Sequence, residues 1–170
     1  MMCRRAMFFR CTAMLATLAA FAQGAARADG LVSAKRLSAS LAAELAMAAV
    51  TACAQKDYHV GVVVLDYSGV QQVALRGDGA APQNVLNAND KAYTAASFGA
   101  DTADLVERSK TGAVSSAFAK VPHLLLNAGG VVIKIGDEVI GAIGVSGAPG
   151  GDKDVVCAKT ALAQIKDRMK

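Results

Sequence analysis

Histidine is scarce in this chain, since only His59 and His123 occur among its 170 residues. Neither stands with cysteines or acidic residues at the spacing of zinc ligands, so the sequence does not predict a zinc site. A nucleophile with a supporting base is also missing. Ser146 in GVSGA lacks the Gly-x-Ser-x-Gly spacing, and the order of acid and histidine does not support a triad. We therefore predict no catalytic residues.

Nucleotide-binding signatures are missing too. Residues 147–151, GAPGG, precede a predicted helix but lack the lysine and the Ser or Thr of a phosphate-binding loop. Gly141 and Gly144 lie inside a predicted strand, so the dinucleotide fingerprint fails as well. Glycine within a strand loses side-chain packing and marks a bulge or a close backbone approach. We therefore expect a helix or a ligand to press on the sheet at these glycines.

No apolar run is long enough to span a membrane. Residues 14–22 fall well short of the roughly 20 residues that are needed to cross the hydrocarbon core. They follow the basic segment MMCRRAMFFR and precede residues 26–28, Ala-Arg-Ala, which form a small-x-small cleavage signal. This pattern predicts a cleaved signal peptide over residues 1–28. The mature chain, from Asp29, is expected to be periplasmic or extracellular, without a membrane anchor.

The charge balance excludes two classes of partner. Four of the 18 basic residues and none of the 14 acidic ones lie in the leader, so the mature chain has 14 of each sign. A neutral chain does not indicate a basic surface for nucleic acid or anionic lipid. Two of the leader's arginines, Arg4 and Arg5, also fit a twin-arginine signal. The general and twin-arginine export routes therefore both stay open.

Residues 29–170 read as one domain without repeats or long linkers. Apolar residues at helical spacing predict helices, and β-branched runs separated by turn residues predict hairpins. The predicted helices are one capped by Ser38 or Ser40, one over residues 83–98 that ends at Gly99, one capped by Thr102 and one capped by Asp152. The predicted strands are residues 59–66 and 72–76, a short 123–126, and 131–135 and 139–145. Hairpins gathered between helices predict an α+β fold with an antiparallel sheet.

Two of the four cysteines, Cys3 and Cys11, belong to the leader. The others, Cys53 and Cys157, lie near the two ends of the mature domain, each on a predicted helix. In an oxidising compartment a disulfide between them would stabilise the fold by roughly 4 kcal/mol in the chain-entropy model. Two separate buried thiols are the alternative, because sequence does not give the geometry.

Three separated segments resemble the GlcG/HbpS heme-binding family, which includes the C-terminal domain of PduO-type proteins. They are KAYTAASFG at residues 91–99, RGDGA at 76–80, and Gly-Gly at 129–130 followed by VIGAIGVSGA at 139–148. The resemblance covers residues 37–165. It implies a profilin-like fold with a central antiparallel sheet flanked by helices, a homo-oligomer, and heme as ligand. The chain departs from the family at Gly77, where a methionine is usual, and at Val131, where a proline is frequent.

The candidate heme-binding residues follow from this resemblance and from what heme requires. The two histidines, His123 and His59, are the candidate iron ligands, and the weaker candidates are Tyr58, Tyr93, Met47 and Thr94. The candidates for contact with the propionates or another anion are Arg76 and Lys91. Lys91, Thr94 and Phe98 share one helix face, so they are expected to present a charge, a hydroxyl and a ring to one pocket. The alternatives are a solvated Lys91, and an Arg76 paired with Asp78 or Asp90.

Three functions remain in view at the level of sequence. The first is an exported heme-binding protein for heme capture, storage or sensing. The second is a binder or enzyme for a small organic acid, which is motivated by the resemblance to proteins that occur beside glycolate metabolism genes and by the same arginine and lysine. The third is a homo-oligomer without a ligand, in which the glycine-rich sheet face packs on a sister subunit.

Overall fold

Four strands and four α-helices make up the part of the chain that the computed structural model describes, which is Gly30 and residues 32–169. The predicted leader, residues 1–28, lies outside the described residues. The helices are α1 (Ala39–Ala54), α2 (Pro82–Phe98), α3 (Thr102–Lys110) and α4 (Gly151–Ile165). The strands are β1 (Gly61–Asp66), β2 (Gln71–Arg76), β3 (Gly130–Ile135) and β4 (Glu138–Ser146). Short 3₁₀ turns follow at Ser116–Lys120 and Lys166–Arg168.

The strands form one antiparallel sheet in the order β2-β1-β4-β3. The two hairpins, β1–β2 and β3–β4, are joined side by side through β1 and β4, which are the central strands. Both central strands are buried for almost their whole length. The predicted α+β fold with a central antiparallel sheet between helices is therefore confirmed. Residues 33–169 belong to one compact unit.

Local signals define most helix ends. The Ser38 hydroxyl accepts a hydrogen bond from the Leu41 backbone N–H at 3.3 Å, so it caps α1 as predicted. Pro82 stands at the first turn of α2, where its missing N–H costs nothing. Gly99 ends the same helix in the left-handed conformation, with φ of 61°.

Three local predictions are wrong. Thr102 does not cap α3 but begins it, because its hydroxyl instead bonds both the N–H and the carbonyl of Gly130 on the outer edge of β3. Asp152 does not cap α4, whose N-cap position is Gly150. Residues 123–126 form no strand, because they are tied to α2 rather than to the sheet.

Helices α1 and α4 cover one face of the sheet. Their buried side chains pack against alternate residues of the strands, and the core of this layer includes Leu45, Ala49, Val62, Val64, Ile133, Ile143, Ala158 and Ile165. Cys53 and Cys157 join the two helices as a disulfide with 5.4 Å between their Cα atoms. The bond closes a 104-residue separation, for which the chain-entropy model gives about 4.7 kcal/mol.

Helix α2 covers the other face and lies close to the strand backbones. A Cβ atom on Gly144 would stand 1.9 Å from the Ala88 carbonyl oxygen, and one on Gly130 would stand 2.2 Å from the Lys91 carbonyl oxygen. Any side chain at these positions would push the helix away from the sheet. The element that presses on the strand glycine at position 144 is therefore a helix and not a ligand.

Gly144→Ala tests this contact. We expect it to lower the free energy of unfolding by about 3 kcal/mol or more, because the new methyl group overlaps the backbone of α2. Gly136→Ala is the control, since Gly136 has φ of 60° but no atom within 4 Å of its Cβ position, and it should cost about 1–2 kcal/mol. Urea unfolding monitored by circular dichroism measures both values. Equal costs for the two variants would contradict the close contact.

Candidate functional site

His123 lies in the loop between the first 3₁₀ turn and β3, with an exposed imidazole and a left-handed backbone, φ 66°. Left-handed backbone is unfavourable for a residue with a Cβ atom, so the surrounding structure must impose it. The neighbouring backbone supplies this restraint. Leu124 donates its N–H to the Val121 carbonyl at 3.1 Å, and Leu125 donates its N–H to the Thr94 hydroxyl at 2.7 Å.

Thr94 is fully buried and fastens this loop to α2. Its hydroxyl donates to the Asp90 carbonyl at 2.7 Å while it accepts the Leu125 N–H. Both the donor and an acceptor site of the hydroxyl are therefore used within the chain. Thr94 supports the loop that carries His123 and does not present a free hydroxyl to a ligand.

The imidazole of His123 borders a groove between β2 and the outer surface of α2. The groove has a volume of about 430 Å³ and is lined by Gln71, Val85, Leu86, Asn89, Asp90 and His123. Leu86 is 69% exposed, which is unusual for a large aliphatic side chain and leaves an apolar wall open to a ligand or to another chain. The Tyr93 ring stands edge-on to the imidazole, with 6.4 Å between the ring centroids.

A carboxylate accompanies the imidazole. Asp90 Oδ1 lies 3.3 Å from His123 Nδ1, and the Asn89 side-chain amide donates to the same oxygen at 3.4 Å. Of the two ring nitrogens, Nδ1 is thus occupied by a protein partner. Among the described residues, no lysine or arginine nitrogen lies within 4 Å of an Asp90 carboxylate oxygen.

The other histidine lies elsewhere. His59 precedes β1, is exposed, and has its Nδ1 2.7 Å from the Asp78 carbonyl oxygen. Arg76, at the end of β2, is also exposed and lines a cavity of about 120 Å³ together with Met47 and Val50. In the described part of the chain, Arg76 forms no ion pair with Asp78 or Asp90.

The aromatic candidates have structural contacts. Phe98 packs edge-to-face on Phe118, with 5.2 Å between the ring centroids, so it fixes the 3₁₀ turn against the end of α2. Tyr58 lies under the Lys153 ammonium, which is 5.7 Å from the ring centroid. Neither ring lines the groove beside His123.

Lys91 is buried and paired. Its ammonium donates to Asp154 Oδ2 at 2.7 Å and to the Val145 carbonyl at 3.2 Å, and both charged side chains are 3% exposed. The other oxygen, Asp154 Oδ1, accepts the Ala148 backbone N–H at 3.0 Å. The pair therefore links α2, the end of β4 and the first turn of α4. The alternative of a solvated Lys91 is therefore wrong.

Burial raises the pKa of Asp154 above its ordinary value of 3.8, because desolvation outweighs the opposing hydrogen bond and positive charge of Lys91. The short contact nevertheless commits the ammonium to this carboxylate. The Lys91 ammonium is consequently not available to a ligand that binds a single chain.

The structure does not bring the predicted site residues to one pocket. Lys91, Thr94 and Phe98 share α2, but each faces a different protein partner. The residues that do meet are His123 and Asp90, beside Val85 and Leu86. The sequence did not predict that Asp90, Val85 and Leu86 line a groove with His123, because the loop that carries the histidine is placed by a hydrogen bond between residues 31 positions apart.

The comparisons with known proteins agree with this fold. A family model described as "Haem degrading protein HbpS-like" matches residues 37–163. The chain belongs to the HbpS-like family. It is 37% identical to a protein whose structure is described as the crystal structure of HbpS, with a TM-score of 0.76, and the match covers 83% of this chain and 98% of that one. No curated protein matches the chain.

Two further solved structures are similar. A double mutant of HbpS from Streptomyces reticuli is 33% identical, with a TM-score of 0.74, and the match covers 92% of this chain and 99% of that one. A complex described as PduOC:Heme is 27% identical, with a TM-score of 0.70, and the match covers 76% of this chain and 94% of that one. The predicted GlcG/HbpS resemblance is therefore confirmed.

Lys91→Met tests the buried ion pair. We expect it to cost about 3–5 kcal/mol of unfolding free energy, because Asp154 would remain buried without a cation. The double variant Lys91→Met/Asp154→Asn removes that charge, keeps an acceptor for the Ala148 N–H, and should recover most of the loss. Lys110→Met breaks an exposed pair with Glu107 and should cost less than about 1 kcal/mol. Urea unfolding at pH 7 compares them, and similar costs for the two single variants would refute the assignment.

Substitution of His123 tests its backbone conformation. Because φ is positive there, His123→Gly should be more stable than His123→Ala by about 1 kcal/mol. On the exposed helical position Ser97 the order should reverse, since glycine is less favourable than alanine inside a helix by about 0.5–1 kcal/mol. Denaturant unfolding of the four variants measures both differences. Alanine more stable than glycine at position 123, as at position 97, would show that His123 is not held in the left-handed region.

Proposed function

We propose that the protein binds heme in the groove beside His123, with Nε2 of this histidine as the iron ligand. The observation that carries the proposal is an exposed imidazole, held at a fixed loop position, that borders an apolar groove. Imidazole is a common axial ligand of heme iron. Membership of a family described by heme degradation, and similarity to PduOC, which is described in complex with heme, support the choice of ligand.

The groove fits the chemistry of the group. Its volume of about 430 Å³ lies within the range of about 300–1,000 Å³ typical of small-molecule sites. Val85 and Leu86 supply apolar surface for a flat hydrophobic ring. A cavity of similar size, about 440 Å³, lies at the edge of β3 beside Asp101 and Lys159, but no histidine, cysteine, methionine or tyrosine lines it.

Each side chain has a separate role in this proposal. Val85 and Leu86 would exclude water from the bound group, and His123 would supply a nitrogen lone pair to the iron. Bound heme would supply an iron centre capable of redox and ligand exchange, as heme does in other proteins. Binding is the function proposed, because the groove offers an iron ligand and apolar surface.

Arg76 is the remaining candidate for the propionates, and its position favours an oligomer. Gln71, at the groove, and Arg76 stand at opposite ends of β2, about 17 Å apart at the rise of an antiparallel strand. Within one chain, Arg76 therefore lies at the end of β2 that is remote from the groove beside His123. A site that uses both residues needs a second copy of the chain, which fits a homo-oligomer with heme near a subunit contact.

Export is part of the proposal. The leader-like segment at residues 1–28 predicts it, and the disulfide between Cys53 and Cys157 supports it, because disulfides persist in the periplasm and outside the cell but are rare in the cytosol. Among the described residues, no helix has the length and apolar character that a membrane crossing requires.

A hemin titration of the purified protein, followed at the Soret band with albumin as a reference, tests the function. We expect saturation at one equivalent or fewer per chain. His123→Ala should shift the Soret maximum and weaken binding, whereas His59→Ala, the matched control at the other exposed histidine, should leave both unchanged. The positions of the two histidines justify this contrast, because the groove includes only His123.

Other outcomes would redirect the proposal. Linear uptake without saturation would reject a specific heme site and favour the organic-acid or ligand-free alternatives. Saturable binding with the spectrum altered in His59→Ala, and unaltered in His123→Ala, would keep heme binding but move the iron ligand to His59.

A further inference from the structure

We propose that Asp90 is a positioning residue that fixes the tautomer and orientation of His123. An ionised carboxylate only accepts hydrogen bonds, so the 3.3 Å contact with Asp90 requires the proton to be on Nδ1. The lone pair of the neutral ring then lies on Nε2. The inference rests on the proposed function only for the identity of the group that Nε2 binds. The tautomer itself is a property of the protein without a ligand.

A shared anchor sets the geometry of this pair. The buried Thr94 hydroxyl donates to the backbone carbonyl of Asp90 and accepts the N–H of Leu125, two residues after His123. One side chain therefore holds the helical residue that carries the carboxylate and the loop that carries the imidazole. The left-handed backbone at His123 agrees with a loop held in place by its surroundings.

The Asp90 carboxylate has His123 as its ion-pair partner among the described residues. In the described part of the chain, His123 is the only basic side chain with a nitrogen within 4 Å of an Asp90 carboxylate oxygen. The Asn89 amide donates to the same oxygen and further orients the carboxylate. A lysine or arginine beside the Asp90 carboxylate would compete with His123 for it, and the ion pairs of the described residues include no such partner.

A carboxylate behind a histidine ligand affects a bound metal in known ways. It orients the ring, selects the nitrogen that carries the lone pair, and makes the ligand more basic, and its loss typically weakens metal affinity about 10- to 100-fold. A more basic imidazole stabilises ferric iron relative to ferrous iron. Asp90 is thus expected to tighten hemin binding and to lower the reduction potential of the bound iron.

The first test uses the full chain without heme. Long-range ¹H–¹⁵N correlation spectra of the imidazoles, recorded at a pH where His123 is neutral, report which nitrogen carries the proton. We expect the Nδ1–H form in the wild type and a shift towards the Nε2–H form in Asp90→Ala. Asp104→Ala, at an exposed aspartate on α3, is the control and should leave the His123 signals unchanged. A wild-type Nε2–H form, or spectra unchanged in Asp90→Ala, would overturn the proposal.

The second test uses the loaded protein. Asp90→Ala should weaken hemin binding about 10-fold or more and raise the midpoint potential, whereas Asp90→Glu should restore part of both effects. Circular dichroism checks that the variants fold, and alanine is well suited to the helical position. Hemin affinity and potential equal to those of the wild type in Asp90→Ala would overturn the positioning role.

The outcomes separate this inference from the proposed function. Failure of hemin to saturate the wild type would reject the heme site, while the tautomer measurement would still decide the role of Asp90. Conversely, saturable binding that depends on His123 but not on Asp90 would keep the heme site and reject the positioning role.

Discussion

The direct contact between α2 and the backbone of the sheet fixes the helix that carries most residues of the candidate site. Strand glycines allow this approach, because a Cβ on Gly144 or Gly130 would overlap carbonyl oxygens of the helix. A helix this close to the strands has no freedom to rotate or slide without steric overlap. Its buried side carries alanines, and its outer side carries Asp90 and the apolar wall of the groove.

The buried ion pair depends on the same contact. Lys91 contacts Asp154 near the end of β4 because α2 packs so close to the sheet backbone. The ion pair therefore connects α2 on one face of the sheet with α4 on the other. Charges in such a position are costly to desolvate, so the intact pair adds little net stability, whereas removal of one partner is strongly destabilising. On the same helix, Thr94 directs its hydroxyl to the loop of His123 instead of to the core. One helix thus organises both the packing and the proposed heme site.

Local patterns predicted most of the fold. Apolar periodicity, the cap at Ser38 and the left-handed end at Gly99 depend on residues close in sequence, and all three reappear in the structure. Two of the three errors share a physical cause. Thr102 was expected to bond its own helix, but its hydroxyl bonds β3, and residues 123–126 were expected to extend a sheet but are held by Thr94. Tertiary partners outcompeted the local ones in both cases.

The sequence by itself determined the helices, the two hairpins, the family and the residue types available for binding heme. Only the tertiary structure decided which of these residues meet. It placed His123 beside Asp90 and an apolar groove, left His59 and Arg76 elsewhere, and enclosed Lys91 against a carboxylate 63 residues away. The reason is that spacing along a helix or strand fixes which side chains share a face, whereas contacts between distant segments depend on how closely those faces pack, and here that distance is set by glycines on a neighbouring strand.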